Sequence, residues 1–173
     1  IKEDAVNMAA YTGSTKFLQA IKNSGYDLSK AIHYYKTPAF VAASKGHIEC
    51  LRLLQNAGCD LNYACEQRGE TLVFEAASNG HIECLRLLKE AECDLKQADI
   101  RGQTPAYMAA KYGHTDCLRL LKDAGCDLKQ ATGAGITLVY AAAENGHTDC
   151  LRLLKNAGCD LEQADNSGHT PAY

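Results

Sequence analysis

Apolar and polar positions along the chain follow two recurring patterns, both with helical spacing. One is clearest in Ile48-Glu-Cys-Leu-Arg-Leu-Leu, where Cys50, Leu51, Leu53 and Leu54 form an apolar stripe. The other opens at Thr37-Pro38-Ala39-Phe40 and runs through the pair Ala42-Ala43 to Gly46. A threonine can cap the free N–H groups of a first turn, and proline is tolerated just inside it. A glycine at the far end accepts the left-handed backbone that closes a helix. The two patterns predict two short helices, one from Pro38 to the glycine and one over the leucines to Gly58.

This pair repeats. The run that begins Gly46-His-Ile-Glu-Cys-Leu returns at Gly80, Gly113 and Gly146, in steps of 34, 33 and 33 residues. A weaker copy begins at Gly13, with Phe17-Leu18 where Cys50-Leu51 stands later. The threonine block recurs at Thr71, Thr104, Thr137 and Thr170, and the alanine pair at Ala76-Ala77, Ala109-Ala110 and Ala142-Ala143. Each second helix runs into Gly-Cys-Asp-Leu at Gly58, Gly125 and Gly158, with Glu92 replacing the glycine once. Polar residues such as 97–103, with Gly102 among them, follow as a hairpin-like turn. A two-helix unit cannot bury its stripe alone, so a period near 33 predicts stacking of each unit on its neighbours. The small alanine pairs let those neighbours approach closely.

The succession Thr-Pro-x-aromatic-x-Ala-Ala-x-x-Gly-His, x-x-Cys-Leu-x-Leu-Leu and Gly-Cys-Asp-Leu resembles the ankyrin repeat over essentially the whole chain. The resemblance implies an all-α helical solenoid of about five repeats, made of stacked antiparallel helix pairs with projecting β-hairpin-like fingers. In this register residues 1–173 form a single array. A partial repeat covers 1–31, full repeats cover 32–65, 66–98, 99–131 and 132–164, and a partial repeat covers 165–173. The chain departs from the family where Phe40, Phe74, Tyr107, Tyr140 and Tyr173 replace the usual histidine, and where Cys59, Cys93, Cys126 and Cys159 replace the usual alanine. Cys65 is an extra residue that lengthens one finger, and its place on a loop marks it as a candidate reactive thiol.

Composition narrows the function. Apolar residues make up 46% and charged residues 23% of the chain, a globular balance. A net charge of -3 lacks the concentrated basic footprint that nucleic acid or anionic lipid requires. The longest apolar run, Leu138 to Ala143, is far short of the ~20 residues that cross a bilayer, so no direct membrane insertion is expected. No charged-then-apolar stretch stands at the start of the sequence, so a secretory signal is not expected from these residues.

Eight of the nine cysteines fall into two ladders, Cys50, Cys84, Cys117 and Cys150, and Cys59, Cys93, Cys126 and Cys159. Neighbours in a ladder sit about 8–10 Å apart, beyond the roughly 7 Å that a disulfide spans. No Cys-x₂₋₄-Cys pair offers zinc its ligands. Cysteine here reads as a small apolar packing residue, and so many unpaired thiols point to an intracellular, reducing compartment: cytoplasm, nucleus or an organelle interior. His47, His81, His114 and His147 recur at one position, which suggests a repeated hydrogen bond between units rather than catalysis. The pairs Glu49/Arg52, Glu83/Arg86, Asp116/Arg119 and Asp149/Arg152 stand at i, i+3 on a solvated face. Gly133-Ala134-Gly135 lacks the third glycine of a dinucleotide loop, and no metal-ligand or nucleophile motif is present. No cofactor, metal or catalytic residue is expected, and the chain is read as not an enzyme.

What varies between the copies is the informative part. Ankyrin-like proteins grip partners with finger tips and the concave helix face, which in this register implies Tyr34, Lys36, Arg68, Glu70, Ile100, Arg101, Gln103, Ile136 and His169 from the fingers. Lys111 and Tyr112 join them from a helix end. Ile100 and Ile136 stand out as tip isoleucines without a folding role, and the mixture of aromatics and arginines is typical of interface cores. The expected function is a protein-binding scaffold or a subunit of a large complex. The alternative is a recruitment module of a longer multidomain enzyme or channel. Because unit 132–164 keeps the full leucine stripe of the interior units, further repeats or a partner are expected to cover that end.

Overall fold

The computed structural model describes residues 2–30 and 36–171. These form five helix pairs: α1 (Lys2–Thr12) with α2 (Thr15–Asn23), α3 (Pro38–Lys45) with α4 (Ile48–Asn56), α5 (Leu72–Ser78) with α6 (Ile82–Glu90), α7 (Pro105–Lys111) with α8 (Thr115–Asp123), and α9 (Leu138–Glu144) with α10 (Thr148–Asn156). The first helices stack in one row, α1 on α3 on α5 on α7 on α9. The second helices stack in an outer row in the same order, and the inner row packs more closely. The alanine pairs are the reason. Ala9, Ala10, Ala42, Ala43, Ala76, Ala77, Ala109 and Ala110 are buried at the junctions, where larger side chains would hold the helices apart.

Each inner helix begins as the threonines predict. Thr37, Thr71, Thr104 and Thr137 accept hydrogen bonds from the backbone N–H of Phe40, Phe74, Tyr107 and Tyr140. The aromatic that replaces the family histidine is itself buried at Phe40, Phe74 and Tyr107. After each outer helix the Gly-Cys-Asp-Leu motif turns the chain. Gly58, Gly125 and Gly158 take left-handed φ values of 80°, 78° and 75°, and Glu92 is forced into the same region at 58°. The aspartate then folds onto its own loop: Asp60, Asp94, Asp127 and Asp160 accept from the N–H two residues on. The cysteines pack as small residues and add a donor. The thiols of Cys93, Cys126 and Cys159 lie 3.6 Å from the carbonyls of Leu61, Leu95 and Leu128 in the preceding unit.

The recurrent histidine stitches units together. Nε2–H of His47, His81, His114 and His147 donates to the carbonyls of Tyr11, Ser44, Ser78 and Lys111 at 3.0, 3.1, 3.1 and 3.0 Å. Those carbonyls lie in the last turn of the preceding inner helix, where no intrahelical donor remains. Burial holds the His81 imidazole below its ordinary pKa, which favours the neutral ring. The ring lies over the glycine of the preceding unit, a contact that only a residue without Cβ permits.

Candidate functional site

The fingers follow from the same local chemistry. In the third, Asp99 N–H donates to the Gln103 carbonyl, and Asp99 Oδ1 accepts from the N–H groups of Arg101 and Gln103 at 2.9 and 2.8 Å. The fifth repeats this with Asp165, which accepts from Ser167 and His169. Those bonds, with the His169 ring 3.3 Å from Oδ2, hold the Asp165 carboxyl below its usual range. The fourth substitutes the Thr132 hydroxyl, which accepts only from Ile136 N–H. Fingers also join tip to tip, since Ile100 N–H donates to the Arg68 carbonyl and Gly133 N–H to the Arg101 carbonyl, each at 3.0 Å.

The structure sorts the residues that the sequence put on this surface. Ile100 is 72% exposed and Tyr112 48%. Arg68 and Arg101 are exposed as well, as are Lys36 and His169, whereas Lys111 is half-buried with its Nζ 5.8 Å over the Tyr112 ring. Lys36 Nζ stands 5.2 Å over Phe40. Tyr34 lies outside the described residues.

Two of the expected positions are corrected, and a third is only partly exposed. Glu70 is buried, with Arg68 Nη1 3.6 Å from its carboxylate, so it braces an arginine rather than meeting solvent. Ile136 is half-buried against the core and its N–H and C=O are both bound to Thr132, which gives this isoleucine a folding role after all. Gln103 is half-buried with its backbone locked to Asp99. Cys65 is corrected too. It is buried and forms the base of the second finger through Cys65 N–H to Glu70 O, the place Asp99 has in the third. The extra residue therefore lies nearer the tip, and the thiol is not presented to reagents.

Asp99 itself was not singled out, although the spacing Asp-x-x-Gly shared by Asp99 and Asp165 is a readable turn signal. Its side chain is fully buried, and Oδ2 lies 3.4 Å from Arg101 Nε, an ion-pair contact without hydrogen-bond geometry. The Tyr107 phenol stands near this pair. Burial raises its pKa first, with Glu144 and Tyr112 adding to the rise and Arg101 opposing it. Charges on one finger and polar groups at the ends of two inner helices thus all act on this one phenol.

On the outer row, Glu83 with Arg86 and Asp149 with Arg152 close at 3.4 and 3.5 Å. An open groove of about 640 Å³ between α6 and α8 is lined by such charges, including Asp116 and Arg119. Mixed charge and openness make it a solvated furrow rather than a ligand cavity. Among the described residues no three His, Cys, Asp or Glu side chains converge to hold a metal, and no helix is long and apolar enough to cross a membrane.

A family model described as ankyrin repeats matches the chain in three copies, over residues 6–99, 57–132 and 107–173. The chain belongs to the ankyrin-repeat family. Each match is longer than one unit and the three overlap, so they agree only roughly with a count of about five repeats. Among curated proteins the chain finds no match. Ankyrin repeats are in general protein–protein interaction modules and typically non-catalytic, and the all-helical stack with its projecting fingers is the form in which this chain carries them.

Proposed function

We propose that this ankyrin array is a non-catalytic scaffold or assembly subunit that grips a protein partner with its finger tips and inner helix ends. Ile100 carries the reading. It is a large apolar side chain held in water by a backbone that is hydrogen-bonded to the neighbouring finger. Covering such a side chain is worth about 1.5–3 kcal/mol, and little ordering entropy opposes it because the finger is already fixed. Arg101 beside it in the chain and Arg68 on the adjoining finger, with exposed Tyr112 at the far end of α7, are residue types that dominate binding hot spots. The unpaired state of all nine thiols supports residence in a reducing compartment.

The test is affinity capture from the native source, comparing the chain with an Ile100→Asp, Arg101→Glu, Tyr112→Ala variant. These exposed positions leave the core intact, and circular dichroism of the variant checks that it does. A protein retained by the chain and lost from the variant is the expected result. Recovery of the same proteins by both baits would place binding elsewhere and refute the finger-tip surface.

A further inference from the structure

The two finger arginines share an arrangement that a general scaffold does not require. Each stands three residues before the capping threonine of its unit, Arg68 before Thr71 and Arg101 before Thr104, so they are register mates on adjacent fingers. The backbones of these fingers are tied by the Ile100 N–H to Arg68 carbonyl bond. Each guanidinium is anchored from behind by a buried carboxylate of its own finger, Arg68 through Nη1 to Glu70 and Arg101 through Nε to Asp99. Anchoring at Nε leaves both terminal nitrogens of Arg101 available as the planar fork that matches a carboxylate. Ile100 lies next to Arg101 in the chain and is the most exposed large apolar side chain described.

We infer that Arg68 and Arg101 form a two-pronged reader for an extended acidic segment of a partner protein, with an apolar side chain of that segment seated on Ile100. The inference rests on the partner-binding role proposed above and specifies the partner's chemistry. The spacing also sets a register. Adjacent units lie roughly 8–10 Å apart, and a polyproline-II segment repeats its face every three residues, about 9 Å. Two acids three positions apart, with an apolar residue between them, therefore fit the two forks. Arginine forks also take phosphate, but the chain's net charge of -3 does not concentrate a polyanion at its surface.

The test selects displayed random peptides on the full chain and measures the best-enriched one by fluorescence anisotropy. Enriched sequences should carry two acids three apart around an apolar residue. Their affinity should weaken at least fivefold in Arg68→Lys and in Arg101→Lys, which keep the charge and lose the fork, and should be unchanged in Arg86→Lys, which makes the same exchange on the outer helix row. Peptides without that acidic spacing, equal binding by the lysine variants, or no enrichment at all would overturn the inference. So would a labelled single-stranded oligonucleotide that binds more tightly than any selected peptide and is lost in the same variants. Neutral peptides that still lose binding in Ile100→Asp and Tyr112→Ala would sink the acidic segment while keeping the interface. Peptides indifferent to all four residues would sink both.

Discussion

Gly113 and Gly125 belong to the same unit, hold nearly the same backbone at φ +76° and +78°, and differ in what stands over them. A Cβ at Gly113 would lie 2.5 Å from Nδ1 of His147, whereas a Cβ at Gly125 would meet nothing within 4 Å. Alanine at either site must adopt the left-handed region, which costs about 1–2 kcal/mol. At Gly113 the imidazole must also move, and its 3.0 Å bond to the Lys111 carbonyl goes with it. A hydrogen bond of that kind contributes about 0.5–1.5 kcal/mol, and the displaced ring loses packing as well. Alanine also stiffens the unfolded chain, offsetting about 0.4–1 kcal/mol, so Gly125→Ala should cost about 0.5–1 kcal/mol and Gly113→Ala about 1–3 kcal/mol. Equilibrium urea denaturation of the two variants measures the difference, provided the unfolding slope is unchanged. A cycle with His147→Ala then isolates the cause. With the ring gone, Gly113→Ala should fall to the Gly125→Ala value, a coupling of about 1 kcal/mol or more. Equal costs at the two glycines, or an additive cycle, would show that the histidine stitch is not what the glycine makes room for.

Glu92→Gly should stabilise the chain by roughly 0.5–1 kcal/mol, because relief of its left-handed strain outweighs the added freedom of glycine in the unfolded state; a lower urea midpoint would contradict this. Burial pushes the thiol pKa of Cys84 up to about 12 and those of Cys59, Cys93 and Cys117 up to about 11. Alkylation at neutral pH counted by mass spectrometry should spare these four, and Cys65 with them, until denaturant is added. Because burial depresses the pKa of His81, the unfolded chain takes up this proton first, near pH ~6.5. The stability tied to a neutral His81 is complete above that pH and is lost as pH falls through the folded value. The urea midpoint should drop more on acidification in the parent chain than in His81→Gln, and equal drops would refute it.

The parts of the fold that were legible in the sequence are those fixed by near neighbours. The capping threonines, the closing glycines and the leucine stripe each act within one turn, so their spacing places four helix pairs, and the weaker copy at Gly13 with the family resemblance adds the first. The histidine hydrogen bond was legible as recurrence, although its acceptor belongs to the preceding unit and leaves no local trace. Burial within the fingers was not legible, because the next finger decides it. Glu70 and Ile136 share one register position with Lys36, Gln103 and His169, yet the first two are drawn inward and Lys36 and His169 point out. Cys65 was misplaced for a similar reason. The insertion shifts it away from the loop tip and onto the base position that Asp99 marks by its bonds rather than by its distance from the capping threonine.

The finger-base position also explains why the third finger, rather than another, presents the candidate contact. At that base the Asp99 side chain accepts two backbone N–H groups and the Thr132 side chain one, whereas the second finger closes at Cys65 through backbone groups alone, its N–H to Glu70 and its carbonyl to Arg68 and Gly69. The third finger is also tied on both sides, by Ile100 N–H to the second finger and by the Arg101 carbonyl to Gly133 of the fourth, a property it shares with the fourth, whose Ala134 carbonyl accepts from Asn166 N–H. Each such bond removes freedom that a binding event would otherwise have to remove. A side chain on this finger thus loses less entropy on contact than one on its neighbours. The same aspartate that fixes the backbone also anchors Arg101 by charge. Exposed Ile100 and forked Arg101 are consequently set on a loop whose backbone is fixed at its base and on both sides.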